Sequence, residues 1–367
     1  MEIAALGEFG LIDRLTQDLK PKNESTKYGV GDDCAVLSYP DREVLITTDL
    51  LMEGVHFDLT YIDLQHLGYK AAMVNLSDVF AMNGTPRQIT VSLALSKRFT
   101  VEDIELFYSG LRRACDKWGV DIVGGDTTSS YTGMAISITC IGEADKADIV
   151  YRNGARNTDL ICVSGDLGAA YMGLQLLERE KAVYYSQYDE LQKKIAEARK
   201  TGNREKVASL QTQLSSLSMP DFSGKEYLLQ RQLQTEARGD IIQRLREAGI
   251  HPTAMMDISD GLSSELRHIC KQSGVGCRIY EKQLPIDYQT AVMAEEMEMN
   301  VTTCALNGGE DYELVFTVPI GDHEKVEALD DVRLIGHITE EKYGHVLVSR
   351  DGQEFPLKAQ GWDPLSQ

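Results

Sequence analysis

Positive charge is scarce in this 367-residue chain: 37 lysines and arginines face 57 aspartates and glutamates, for a formal net charge of −20. A surface that acidic repels nucleic acid and anionic membranes, so neither is an expected partner. It repels phosphorylated metabolites as well, unless cations bridge the two. Long apolar runs are missing, and nothing approaches the roughly 18 residues of a membrane span. The opening Met-Glu-Ile-Ala-Ala-Leu-Gly-Glu lacks the basic start and apolar stretch of a signal peptide. The seven cysteines are scattered and no two form a Cys-x-x-Cys pair, which speaks against a disulfide framework or a zinc site. A cytoplasmic location is expected. The common phosphate scaffolds are absent too: there is no Gly-x-x-x-x-Gly-Lys-Ser/Thr loop and no Gly-x-Gly-x-x-Gly after a strand. Neither a Gly-x-Ser-x-Gly elbow nor a His-Glu-x-x-His helix is present.

What remains is the composition of a globular protein, 43% hydrophobic and 26% charged, long enough for two domains. The first third alternates strand-like segments (34–38, 43–51, 88–95, 121–124, 134–141) with helical spacing over 64–83 and 100–117. Gly84 reads as the helix stop, and Thr100-Val-Glu-Asp103 as a variant capping box. A polar stretch over 142–158 suggests a division into residues 1–148 and 149–367. The second part is mixed as well, with strands expected at 159–164, 254–257, 276–280, 312–318, 332–338 and 345–349. The fold class is therefore α/β (α+β), two mixed domains. Residues 184–217, polar and broken at Thr201-Gly202-Asn203, read as a helical hairpin insertion without chemistry of its own.

Aspartates recur beside predicted element ends. They fall in Gly31-Asp32-Asp33, Thr47-Thr48-Asp49, Asn75-Leu76-Ser77-Asp78, Gly124-Gly125-Asp126-Thr127-Thr128, Asp257-Ile258-Ser259-Asp260-Gly261 and Asn307-Gly308-Gly309-Glu310-Asp311. Singly, most read as turns or helix caps. Asn75 and Asp78 are the exception: they share one face of an otherwise apolar helix, and a carboxylate there needs a partner. Gathered in one crevice, several carboxylates repel one another unless cations are bound. Hard oxygen ligands select Mg²⁺ or Mn²⁺ over zinc, and an acidic crevice of this kind suits a metal–polyphosphate complex.

These segments, in this order, resemble the thiamine-monophosphate kinase family, within the aminoimidazole ribonucleotide synthetase superfamily. The resemblance adds Gly7-Glu8-Phe9-Gly10-Leu11-Ile12, Glu53-Gly54-Val55-His56-Phe57 and Gly308-Gly309-Glu310-Asp311-Tyr312-Glu313-Leu314, and covers nearly everything outside the hairpin. It implies a homodimer in which N-terminal sheets pair into a shared barrel. It implies that Asp33, Thr47, Thr48, Asp49, Asp78, Asp126, Asp257 and Asp260 hold several Mg²⁺ ions. It further implies that Gly125, Asp126, Arg152 and Ser259 contact ATP, and that His56, Glu310 and Trp362 face thiamine monophosphate. Departures are local: Met82-Asn83-Gly84 stands where the family has Met-Gly-Ala, and Gln234-Thr235-Glu236-Ala237-Arg238 replaces a proline-containing segment.

A phosphate monoester acceptor is already anionic near neutral pH, so the expected transfer needs no catalytic protein base. Positioning and charge neutralisation are what it requires. Selenophosphate synthetase would call for a reactive cysteine near the N-terminus, and the hydrogenase-maturation relative for a terminal cysteine. This chain has Cys34 first and Pro-Leu-Ser-Gln last. A non-catalytic Mg-nucleotide-binding regulator is the alternative from another class.

Overall fold

In the computed structural model, residues 26–28, 31–217 and 222–358 are described. Trp362 and the Gly7–Ile12 motif lie outside them. The first unit is a six-stranded sheet of β1 (Thr26–Tyr28), β2 (Ala35–Ser38), β3 (Glu43–Met52), β4 (Thr85–Leu95), β5 (Asp121–Ser129) and β6 (Ala135–Ala144). Its order is β1-β2-β3-β6-β4-β5, antiparallel except for the β4–β5 pair. Helices α1 (Leu64–Ala81) and α2 (Val101–Trp118) pack together, with α1 lying against β3, β4 and β6. On the other face, among the described residues, Leu50, Met52 and Val123 are exposed.

The second sheet runs β13-β12-β9-β11-β7-β10-β8. Its strands are β7 (Leu160–Ser164), β8 (Ala254–Asp257), β9 (Val275–Tyr280), β10 (Leu314–Val318), β11 (Val332–Glu340), β12 (His345–Val348) and β13 (Glu354–Pro356). Around it lie α3 (Ala169–Lys200), α4 (Arg204–Ser215), α5 (Glu226–Leu233), α6 (Gly239–Glu247), α7 (Leu262–Ser273), α8 (Tyr288–Glu296), α9 (Val301–Asn307) and α10 (His323–Glu327). Helix α3 begins well before residue 184 and turns at Thr201–Asn203 into α4, where Ile195, Ala198 and Leu210 form a small core of their own. Among the described residues no helix is long and apolar enough to cross a membrane.

Helix α1 joins the two units. Every residue from Leu67 to Ala81 except Asp78 is buried. One side packs on the first sheet, and the other meets β8, α5 and α6. A helix apolar around most of its circumference is stable only when covered on several sides, and this one is. Its pairing with α2 is close because both partners carry glycine at the crossing. A Cβ on Gly68 would stand 1.9 Å from the Phe107 carbonyl oxygen, and one on Gly110 would stand 1.8 Å from that of Gln65. Helix α2 starts on the expected capping box, with Thr100 and Asp103 exchanging side-chain to backbone bonds, and stops at Gly119 in the left-handed region.

The strand expected over 43–51 is β3, which runs to Met52 and places Asp49 mid-sheet; two other boundaries differ from the sequence reading. Strand β5 runs through Gly124-Gly125-Asp126 to Ser129, because glycine lets the backbone approach β4 closely; a Cβ on Gly125 would fall 1.9 Å from the Val91 oxygen. The turn after α1 is made by Asn83, at φ 57°, since asparagine tolerates that region. Gly84 is needed for space instead: a Cβ there would sit 2.4 Å from Leu45 Cδ1.

Gly110→Ala is expected to lower the unfolding free energy by about 2–3 kcal/mol, because the helix pair cannot separate without disturbing α1. Gly321→Ala, which meets open space, serves as the control. Urea unfolding measures both, and equal midpoints would refute the close-crossing account.

Candidate active site

Two faces of α1 carry the site. On the face toward the first sheet, Asn75 Oδ1 accepts the Asp49 N–H at 3.1 Å while its Nδ2 donates to the Ala71 carbonyl at 3.0 Å. One turn on, Asp78 accepts the Thr47 hydroxyl at 2.5 Å. On the face toward the second sheet, Ser77 donates to Asp257 Oδ2 at 2.6 Å, at the end of β8. Asp33 arrives from the loop before β2, and Asp33, Asp78 and Asp257 each offer an oxygen within 4.8 Å of the others.

Arg152 balances part of this charge. It donates to Asp33 through Nε at 3.2 Å and Nη2 at 2.5 Å, and its backbone N–H donates to Asp32 Oδ2 at 3.1 Å. The Asp32 and Asp33 side chains are almost fully enclosed. Burial, followed by repulsion from Asp33, pushes Asp257 up to about 8. Burial and repulsion from Asp49, Asp257 and Asp33 hold Asp78 well above the usual carboxylate range. Asp32 is pushed up to about 7 by burial and by Asp33. The donors present do not offset the carboxylates, and the ligand atoms on offer are oxygens. Such a set fits a hard divalent cation such as Mg²⁺.

The other candidate residues stand around this centre. Strand alternation puts Thr48 on the face opposite Thr47, where its hydroxyl donates to the Ile138 carbonyl at 3.0 Å. Asp126 and Gly125 lie on exposed β5, outside the trio, and the Asp126 carboxylate accepts the Thr127 N–H at 2.8 Å. Ser259 and Asp260 precede α7. Ser259 accepts the Glu310 N–H through its carbonyl at 2.7 Å, and the Asp260 N–H donates to Glu265 at 3.0 Å. His56 accepts the Met52 N–H on Nδ1 at 3.0 Å. Its pKa is lowered by burial, against the opposing pull of Glu310.

Glu310 is held from behind: Lys70 Nζ lies 3.0 Å from Oε1 and Gln232 Nε2 donates to Oε2 at 2.6 Å. The loop alternates in direction. Glu310 and Tyr312 have positive φ, 66° and 49°, which costs non-glycine residues energy. Asp311 and Glu313 between and beyond them are buried. Asp311 accepts the N–H groups of Gly168 and Ala170 at the start of α3, at 2.7 and 3.4 Å. Glu313 is bonded by Ser164, Arg231 and Arg238. Sequence reasoning missed Asp32, Lys70, Ser77 and Gln232. Lys70 carried a usable signal, a cation in the same apolar helix as Asp78.

Two mixed sheets joined by a buried helix, with carboxylates from both units converging at its side, define the class. Residues 31–144 match the AIR synthase related protein N-terminal domain and residues 204–349 the AIR synthase related protein C-terminal domain. Thiamine-monophosphate kinase of Aquifex aeolicus is 34% identical over 340 residues, covering 93% of this chain and 94% of that one. The enzyme of that name from Escherichia coli strain K12 is 32% identical over 367 residues, covering 98% of each. A solved structure of AaThiL complexed with AMPPCP and TMP aligns with a TM-score of 0.76 and 32% identity, over 99% of this chain and 98% of the other. The chain belongs to the thiamine-monophosphate kinase family.

The charge cluster has a consequence for stability without metal. Folded Asp257 keeps its proton up to about pH 8, while an unfolded aspartate releases it near pH 4. Between those values the folded state binds the additional proton, so stability falls as pH rises through the window. Melting in chelator is expected to drop from pH 5 to pH 8. Asp257→Asn, which cannot ionise, is expected to remove part of that drop, the raised Asp78 and Asp32 supplying the rest. A flat wild-type profile would contradict the assigned repulsion.

Proposed function

We propose that the chain transfers the γ-phosphoryl group of ATP to thiamine monophosphate, giving thiamine diphosphate. The observation that carries this reading is the convergence of Asp33, Asp78 and Asp257, set in a chain of the thiamine-monophosphate kinase family. Asp33, Thr47, Thr48, Asp49, Asp78, Asp126, Asp257 and Asp260 would hold Mg²⁺, with Thr48 contributing through its backbone. Bound there, Mg²⁺ would neutralise negative charge on the phosphates. Gly125, Asp126, Arg152 and Ser259 are assigned to ATP, and the fixed cation of Arg152 is suited to a polyphosphate. His56, Glu310 and Trp362 are assigned to the thiamine end.

The chain's own part is to orient and to enclose. Asn75, Thr47 and Ser77 fix Asp49, Asp78 and Asp257 before any ligand arrives, which lowers the cost of ordering the site during reaction. The accepting phosphate supplies its own nucleophilic oxygen, so no side chain has to remove a proton. Transfer is direct and in line, and isolation of a phosphorylated aspartate or histidine on the path would overturn that mechanism.

The rest of the reading concerns assembly. Residues 1–148 and 149–367 act as separate domains, supported by the division of strands between two sheets. Homodimerisation through the first sheet is supported by the exposed Leu50, Met52 and Val123 and by edge strand β5, exposed along nearly all its length. A cytoplasmic location is consistent with seven buried, unpaired cysteines.

Purified protein with Mg·ATP and thiamine monophosphate is expected to yield thiamine diphosphate, followed by chromatography. Asp49→Ala and Asp78→Asn are each expected to cut turnover at least about 100-fold. Binding of Mg·ATP without any product would favour the regulator reading.

A further inference from the structure

Lys70 is among the largest fully buried side chains of the protein, with 1% of its surface exposed. A buried ammonium is costly unless paired, and the pairing here is specific. Its Nζ lies 3.0 Å from Glu310 Oε1 and donates to the Gln232 carbonyl at 3.2 Å. The Gln232 side chain holds Oε2 at 2.6 Å. Both oxygens of Glu310 are thus fixed from the interior, while 26% of its side-chain surface stays accessible. Rotation of the carboxylate would break one bond or the other. The backbone is locked as well, by the Glu310 N–H to Ser259 bond and by the buried anchors Asp311 and Glu313.

Lys70 and Ser77 are seven residues apart on α1, hence on one face and separated by about 10 Å along the axis. Ser77 holds Asp257. One helix therefore sets the separation between an oriented, partly open carboxylate and the carboxylate trio. Thiamine monophosphate carries an aminopyrimidine at one end and its phosphate at the other.

We propose that Lys70 is a positioning residue that presents Glu310 to the nitrogen-rich end of the substrate, and that α1 is the spacer matching the substrate's length. The inference rests on the reading of Glu310 as a substrate contact. It assigns length discrimination to the Lys70–Glu310–Gln232 group: a phosphate of the thiazole half alone reaches the trio but not Glu310. Binding energy from the remote end is then lost for the short substrate and kept for the full one.

The test compares wild type, Lys70→Met and Gln232→Leu with thiamine monophosphate and with hydroxyethylthiazole phosphate. Lys70→Met is expected to raise KM for thiamine monophosphate about 10- to 100-fold, the scale of a charged hydrogen bond, with KM for ATP unchanged within about twofold. Activity on the short phosphate is expected to be low in wild type and unaltered in the variant. Gln232→Leu is expected to move the same constants in the same direction by less, and it decides the matter if melting shows that Lys70→Met does not fold. An unchanged KM for thiamine monophosphate in a folded variant overturns the proposal. So does a parallel rise in KM for both substrates, which marks a structural brace. No turnover of thiamine monophosphate by wild type would instead refute the substrate reading of the previous subsection.

Discussion

Repulsion among carboxylates held away from water is the constraint on which this architecture depends. Asp33, Asp78 and Asp257 come from a loop, a helix and a strand that are far apart in sequence, and their oxygens converge within 4.8 Å. Left to itself such a group would spread. It is kept together by elements that cannot easily move: a helix packed between two sheets for Asp78, and the end of strand β8 for Asp257. The glycine crossing at Gly68 and Gly110 fixes that helix against its neighbour. Much of the rigidity around α1 can be understood as what a charge-dense recess demands of its frame.

A second layer of charge supports the first. Arg231, Arg238, Asp311 and Glu313 make a buried network behind the loop of Glu310 and Tyr312. Asp311 and Glu313 are anchored inward, while the Glu310 side chain stays partly accessible. Positive φ at Glu310 and Tyr312 costs on the order of 1–3 kcal/mol each. Charge-assisted bonds at Glu313 and the capping of α3 by Asp311 offset it. The strain is what points Glu310 outward while its carboxylate remains tied to Lys70.

Legibility in the sequence followed physical rules unevenly. Asp78 stood out because an ionisable group in an apolar helix needs a partner, and Thr47 and its neighbours supply the setting. Lys70 obeyed the same rule and went unread, since its partners Gln232 and Glu310 are more than 160 residues away. The fold class was legible from alternating strand and helix patterns. The strand end at Gly124 was not, because pairing with β4 lengthened β5 past residues that locally favour turns. Motif resemblance selected Thr47 and Thr48 together, but only the period of β3 separates their side chains. Arg152 was named by resemblance alone, since its partners Asp32 and Asp33 lie some 120 residues away.

Helix α3 spans 32 residues, about 48 Å if straight, with its first turn capped by Asp311 and its far end carrying the α4 hairpin. Lys181 ties it to Asp58 at 2.6 Å, about two-fifths of the way along. Such a beam is clamped near its root and loaded at its tip. A sideways force on the hairpin would bend the outer three-fifths and reach the Gly308–Glu313 loop strongly attenuated. The appendage can vary in length or composition, or strike other molecules, while the Gly308–Glu313 loop is left mechanically undisturbed.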